Sequence, residues 1–121
     1  MTRILLIEDN ADAREALRAL LELDGYEVHG AADGTEGLDL ARTKTPDVAL
    51  VDIGLPGFDG YEVARRMRQL PAPPRVMIAL TGYSEAEDRQ RAKDAGFDAH
   101  LVKPVDPDQL TRVLASPDFR R

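Results

Sequence analysis

Three short apolar runs, none of them broken by a polar residue, constrain the fold of this chain more than any other feature. They occupy residues 4–7 (ILLI), 48–51 (VALV) and 76–80 (VMIAL). A strand with one face in water alternates apolar and polar residues, whereas a strand covered on both faces does not have to. The runs therefore predict a parallel sheet with helices on both sides, and residues 26–32 and 99–102 are two weaker strand candidates.

Amphipathic stretches between the runs predict five helices. In the first, apolar residues at positions 13, 16, 17, 20 and 21 form one helical stripe. Asp9 or Asn10 can cap its start, and Gly25 can end it. The other four cover residues 35–44, a segment from Gly60 that stops before Pro71, residues 84–95, and a short stretch after Asp106 and Pro107.

The fourth of these helices differs from the rest. Ser84 and Glu87 have the spacing of a capping box, but the inner face carries little beyond alanine. We therefore expect it to be the least firmly packed helix. The alternation of strands and helices implies right-handed crossovers and a doubly wound α/β fold, in which a five-stranded parallel sheet lies between two helical layers. With 121 residues, the whole chain (1–121) is expected to form one domain.

Composition argues against several classes of function. Twenty-two acidic residues against sixteen basic ones give a net charge of -6, so this domain is not expected to bind nucleic acid directly. No apolar run approaches the roughly 20 residues of a membrane-spanning helix, and we expect no membrane contact. The chain has no cysteine, which excludes disulfides and thiolate metal sites and is compatible with the cytoplasm that we expect for it.

Polar side chains follow four of the predicted strands. They are Glu8 and Asp9 after the first, Asp52 after the third, Thr81 after the fourth and Lys103 after the fifth. Because parallel strands place their carboxyl ends at one edge of a sheet, these groups are expected to meet there. Clustered carboxylates select a hard cation, most simply Mg²⁺. With Lys103 and Thr81 available to contact phosphoryl oxygens, the set has every part needed to form an aspartyl phosphate on Asp52.

The motifs at these strand ends resemble those of response-regulator receiver domains, of the kind typified by chemotaxis regulators, over essentially the whole chain. They are Glu8-Asp9, residues 52–57 (DIGLPG) followed by Asp59-Gly60, Thr81-Gly82, and Lys103-Pro104. The resemblance implies a flavodoxin-like fold with strand order 2-1-3-4-5. It implies Asp52 as the phosphoacceptor, and Mg²⁺ held by Asp9, Asp52, the carbonyl of Gly54 and, largely through water, Glu8. It further implies Thr81 as the switch hydroxyl, Lys103 as the phosphate-contacting cation, and a cis bond before Pro104.

One position departs from the family's pattern. Receivers usually carry Tyr or Phe three residues before the lysine, where this chain has His100. Either His100 replaces the aromatic ring as part of the switch, or it is a half-buried histidine with no signalling role. The phrases around Thr81 and Lys103 are similar to those of receivers fused to sensor histidine kinases. The partner implied is a histidine kinase or a histidine phosphotransfer protein, with the domain itself a monomer or weak dimer.

Two other functions fit parts of the pattern. A magnesium-dependent aspartyl phosphohydrolase would share the first chemical steps, but such enzymes usually place a second acid two residues after the nucleophile, where this chain has Gly54. A pure interaction module would not need Asp9, Asp52, Thr81 and Lys103 together. We therefore expect a phosphorylatable switch that takes part in its own phosphorylation and dephosphorylation without being an enzyme.

Overall fold

A computed structural model describes residues 2–82 and 86–115, with the side chains of 86–89 left out of the description. Five strands and five helices alternate along this part of the chain. The strands are β1 (Arg3–Ile7), β2 (Glu27–Ala31), β3 (Val48–Asp52), β4 (Val76–Thr81) and β5 (Ala99–Val102). The helices are α1 (Ala11–Leu23), α2 (Gly34–Lys44), α3 (Gly60–Arg68), α4 (Ala86–Asp94) and α5 (Pro107–Leu114).

All strand pairings are parallel, and the strands lie in the order β2-β1-β3-β4-β5. This confirms the predicted doubly wound, flavodoxin-like fold. The chain crosses from β1 to β2 on one face of the sheet and then builds outward past β3 on the other. The direction in which successive strands are added to the sheet reverses between β1 and β3. In open α/β sheets, ligands bind at such a reversal, beyond the carboxyl ends of the strands.

Two apolar layers cover the sheet. Alternate residues of the central strands point to opposite faces, so Leu5 and Ile7 belong to the layer beneath α2, α3 and α4, while Ile4 and Leu6 belong to the layer beneath α1 and α5. Every residue of β3 and β4 is buried. The uninterrupted apolar runs in the sequence therefore correspond to strands that are covered on both faces, as predicted.

Side-chain caps set most of the helix starts. Asn10, one of the two predicted candidates, caps α1 by accepting the N–H of Ala13 at 2.9 Å. Asp33, Asp59 and Asp106 cap α2, α3 and α5 in the same way. The predicted capping box of Ser84 and Glu87 in α4 lies outside the described residues.

The turn between β3 and α3 allows no side chain at Gly60. A Cβ built there would lie 2.5 Å from the backbone oxygen of Asp52 and 2.8 Å from Cα of Ile53. The start of α3 is thus packed directly on the backbone that carries Asp52. Among residues 2–82 and 86–115, no helix combines the length and apolar character needed to cross a bilayer.

Candidate functional site

The carboxyl ends of the three central strands and β5 bring the predicted residues to one edge of the sheet. Glu8 and Asp9 directly follow β1, Asp52 and Thr81 are the last residues of β3 and β4, and Lys103 directly follows β5. Adjacent strands in the sheet supply adjacent parts of the site. Residues that are up to 95 positions apart in sequence are therefore in contact.

Three carboxylates meet at this edge. Glu8, Asp9 and Asp52 each offer an oxygen, and these oxygens lie within 4.8 Å of one another. Glu8 and Asp52 are only 1% and 6% exposed, whereas Asp9 is exposed at the rim. Two acids thus form the floor of the site and the third faces solvent.

Lys103 reaches into the site and contacts both buried acids. Its Nζ lies 2.7 Å from Oε1 of Glu8 and 3.0 Å from Oδ2 of Asp52. The peptide bond from Lys103 to Pro104 is cis, as the resemblance implied. The backbone N–H of Lys103 donates to the carbonyl of Thr81 at 2.7 Å, which ties the end of β5 to the end of β4. The ammonium therefore lies between the two buried carboxylates.

The environment separates the acidities of the two buried acids. Burial raises the pKa of Glu8, and the hydrogen bond that it shares with Asp52 raises it further. Burial also opposes ionisation of Asp52, but hydrogen bonds from Glu8, Lys103 and the N–H of Gly54 outweigh it and lower the pKa of Asp52 below its ordinary value. As pH rises, Asp52 therefore ionises before Glu8.

The lysine responds to the same neighbours. Burial alone would lower the pKa of Lys103, but its hydrogen bonds with Glu8 and Asp52 raise the pKa above the ordinary value for lysine. Lys103 therefore remains an ammonium ion. An ionised carboxylate at Asp52 and a fixed cation 3.0 Å from it together make the core of the site.

Two further predicted residues take defined places. Gly54 donates its N–H to Oδ1 of Asp52 at 3.0 Å, so each oxygen of Asp52 has a protein partner. Thr81 is buried at the end of β4, 6% exposed. The carbonyl of Gly54 as a metal ligand and the hydroxyl of Thr81 as a switch remain predictions.

His100 lies on the side of β5 that faces α4. It lines an open groove of about 690 Å³ together with Arg68, Ala92 and Phe97. The described geometry gives it no contact with Asp52, so its role as a switch also remains a prediction. Tyr83, which follows Thr81-Gly82 in the sequence, lies outside the described residues.

Arg14 is a residue that the sequence analysis did not single out. Its Nη1 donates to the backbone carbonyl of Glu8 at 2.8 Å from the first turns of α1. Asn10 contributes on the same turn, since its N–H donates to Oε2 of Glu8 at 3.3 Å. The one sequence signal for this contact is that Arg14 lies one helical turn after the N-cap Asn10, close to the end of β1.

The donor set fits a hard divalent cation. Three carboxylates are close enough to share one ion, and one of them is open to solvent, which suits an ion that retains several waters. Glu8, Asp9 and Asp52 are the described residues that would hold it. Nitrogen and sulfur donors of the kind that zinc prefers are absent from this group.

Comparisons with known proteins agree with this geometry. The response regulator receiver domain family matches residues 4–115. The sporulation initiation phosphotransferase F of Bacillus subtilis is 34% identical over 108 residues, which cover 89% of this chain and 86% of that protein. The KDP operon transcriptional regulatory protein of Escherichia coli is 43% identical over 104 residues, but these are 86% of this chain and only 45% of that protein.

A solved structure shows the same fold with an ion. The receiver domain of a sensor histidine kinase from Pseudomonas aeruginosa has a TM-score of 0.85 and 35% identity, and the alignment covers 93% of each chain. That structure contains a magnesium ion coordinated in its active site cleft. Because the family matches residues 4–115, and the relatives and the solved structure share its sequence and architecture, we conclude that this chain belongs to the response regulator receiver domain family of two-component systems.

Proposed function

We propose that Asp52 accepts a phosphoryl group from the phosphohistidine of a histidine kinase or a histidine phosphotransfer protein. The observation that carries the proposal is the state of Asp52. It is a nearly buried carboxylate whose pKa is lowered, and a lysine ammonium is held 3.0 Å from one of its oxygens. A carboxyl group attacks phosphorus as the carboxylate, and the lowered pKa of Asp52 favours that form.

The residues of the chain have separate tasks in the transfer. A carboxylate oxygen of Asp52 forms a bond to phosphorus while the bond from phosphorus to the donor imidazole breaks, and the electron pair returns to the imidazole nitrogen. Lys103 then pairs with a phosphoryl oxygen in place of a carboxylate. Thr81, buried beside Asp52 at the end of the next strand, donates a hydrogen bond to another oxygen.

Asp9, Asp52, Glu8 and the carbonyl of Gly54 would hold a magnesium ion at this edge. Three clustered carboxylates support this part of the proposal, as does the ion in the related kinase receiver. When bound, the ion would neutralise negative charge on the oxygens of the transferred group. Lys103 alone offers one positive charge to a group that carries about two negative charges at neutral pH.

Phosphorylation would change the face formed by α4, β5 and α5. Thr81 moves toward the phosphoryl group, and the space between β5 and α4 next to His100 is open to rearrangement. Coupling of this kind is typically worth about 1–3 kcal/mol, enough to change partner affinity several-fold. The output is thus binding rather than turnover, and the domain is not itself an enzyme.

Two contexts in the cell suit this domain. Its similarity to a receiver from a sensor histidine kinase supports a place within a hybrid kinase. Its similarity over most of the sporulation phosphotransferase supports a single-domain regulator. In either case we propose a cytoplasmic location, a phosphorelay role, and a monomer or weak dimer.

The test is phosphoryl labelling by a small donor such as acetyl phosphate. We expect the wild-type protein to take up about one equivalent in Mg²⁺ and essentially none in excess chelator. Asp52→Asn should abolish labelling. Asp24→Asn, an exposed acid at the C-terminal end of α1, is the matched control and should label normally.

Equal labelling of the wild type and Asp52→Asn would overturn the proposal. So would sustained hydrolysis of a phosphomonoester well beyond one equivalent of protein, because that would make the domain a phosphohydrolase. Intact-mass measurement of the labelled protein distinguishes the two outcomes, since a stoichiometric adduct adds one phosphoryl group and turnover adds none.

A further inference from the structure

The side chain of Arg14 makes an unusual contact for an arginine on a surface helix. Its Nη1 donates to the backbone oxygen of Glu8 at 2.8 Å, six residues back in the chain. The side chain is half-buried. Within residues 2–82 and 86–115, Arg14 has no carboxylate within ion-pair distance, so its guanidinium is directed at this carbonyl and not at a counter-charge.

Gly30 provides the space for that arrangement. In β2, next to Leu6 of β1, a Cβ built on Gly30 would lie 3.3 Å from Cδ of Arg14 and 3.6 Å from its Cγ. The stem of Arg14 therefore lies across the bare backbone of β2, where any larger residue would project. The contact between Arg14 and the carbonyl of Glu8 therefore uses the space that Gly30 leaves open.

The carbonyl that Arg14 contacts belongs to the peptide joining Glu8 to Asp9. A peptide unit is planar, so holding its oxygen orients the whole plane and with it the start of Asp9. The other side of Glu8 is held by its own N–H, which donates to the carbonyl of Ala31 at 3.0 Å. Asp9 itself is exposed and, in the described part of the chain, its carboxylate makes no hydrogen bond or ion pair. Its direction is thus set by the backbone.

We propose that Arg14 is a positioning residue that orients the Glu8–Asp9 peptide so that the carboxylate of Asp9 points into the cation site. This inference rests on the proposed function, because it assumes that the three acids bind a divalent cation. Groups that orient metal ligands without touching the metal typically change metal affinity by about 10–100-fold when they are removed.

The charge of Arg14 would act in the opposite direction. A guanidinium near a cation site repels the cation, so a purely electrostatic role predicts tighter Mg²⁺ binding when the charge is removed. A positioning role predicts weaker binding. The sign of the change therefore separates the two.

The experiment measures Mg²⁺ affinity by calorimetric titration of the full chain. We expect Arg14→Gln to weaken binding about tenfold. Arg18→Gln is the matched control, because Arg18 is one turn further along α1 and pairs with Glu22 at 3.8 Å; it should change affinity less than twofold. Gly30→Val should also weaken Mg²⁺ binding, because the new side chain would displace the stem of Arg14 while its charge remains. The variant that carries both Arg14→Gln and Gly30→Val should bind Mg²⁺ no more weakly than Arg14→Gln alone.

A second measurement needs no metal. Hydrogen exchange of the Glu8 amide, which donates to the carbonyl of Ala31 at 3.0 Å, should be faster in metal-free Arg14→Gln and Gly30→Val than in the wild type, and unchanged in Arg18→Gln. Unchanged or tighter Mg²⁺ binding by Arg14→Gln would overturn the inference, as would unchanged exchange at Glu8. If Arg14→Gln fails to fold, Gly30→Val decides. If the wild type binds no Mg²⁺, the proposed metal site fails, while exchange at Glu8 still tests whether Arg14 holds this part of the backbone.

Discussion

Helices α3 and α4 have the same length and cover the same face of the sheet, yet they are held in very different ways. α3 buries Tyr61, Val63, Ala64 and Met67. α4 has alanine as its only apolar residue type, and of its described side chains (90–94) only Ala92 is buried. Large apolar side chains anchor α3 in the core, whereas the described part of α4 contributes only the methyl group of Ala92 to it.

The two helices also follow different parts of the site. α3 begins eight residues after Asp52 and packs on the backbone of that residue through Gly60, whereas α4 follows Thr81. The region around Asp52, the proposed phosphoacceptor, is therefore closely packed, and the described side chains of α4, which follows the proposed switch hydroxyl, are lightly packed. A domain that must hold its reacting atoms still and also change shape requires both properties. Four substitutions test this contrast, from the largest expected effect to the smallest.

Met67→Ala tests how firmly α3 is anchored. Met67 is completely buried, so the substitution removes most of a side chain from a packed core and leaves a cavity. We expect it to lower the free energy of unfolding by about 3 kcal/mol, measured by urea denaturation. A loss below about 1 kcal/mol would show that α3 is no better anchored than α4.

Gly60→Ala tests the contact between α3 and the backbone of Asp52. The new methyl group would meet backbone atoms that cannot move independently, and we expect a loss of about 2 kcal/mol. Gly82→Ala is the control, because no atom lies within 4 Å of a Cβ built at Gly82. Equal stability of the two variants would contradict a close approach at Gly60.

Ala92→Gly removes the one buried side chain described within α4. Lost burial of one methyl group and lower helix propensity should together cost about 1.5 kcal/mol. Lys93→Gly, at the exposed neighbouring position, reports the propensity alone and should cost about 1 kcal/mol or less. If Ala92→Gly were as damaging as Met67→Ala, α4 would have to be anchored as firmly as α3.

Arg91→Gln removes the side chain that connects the two helices. Arg91 stacks on the ring of Tyr61, 4.2 Å from its centroid, and lies 3.8 Å from Asp59. Because the side chain is 61% exposed, screening by solvent limits the expected loss to about 0.5 kcal/mol. Urea denaturation of Arg91→Gln should detect a change of this size, and a loss above about 1.5 kcal/mol would mean that this link dominates the attachment of α4.

Much of the site could be predicted from the sequence, because its residues lie at the ends of strands and parallel strands share an edge. The positions of Glu8, Asp52 and Lys103 follow from that rule alone. The strand order and the cis bond before Pro104 came from the family resemblance, and the structure confirms them.

Other contacts could not be predicted, since they depend on where a long side chain goes. Arg14 reaches the carbonyl of Glu8 across a glycine in β2, where a larger side chain would crowd its stem. Asp98 was not singled out from the sequence, yet its carboxylate accepts the N–H of Met77 at 2.8 Å and pairs with Arg68 at 3.0 Å. Hydrophobic periodicity contains no information about such contacts.

The ammonium between Glu8 and Asp52 has a consequence for the balance of charge in the floor of the site. Two buried carboxylates would repel each other strongly if nothing stood between them. Lys103 is a counter-ion that the chain itself supplies, 2.7 Å from Glu8 and 3.0 Å from Asp52. If the three acids bind magnesium as proposed, we therefore expect removal of the metal to leave the fold intact.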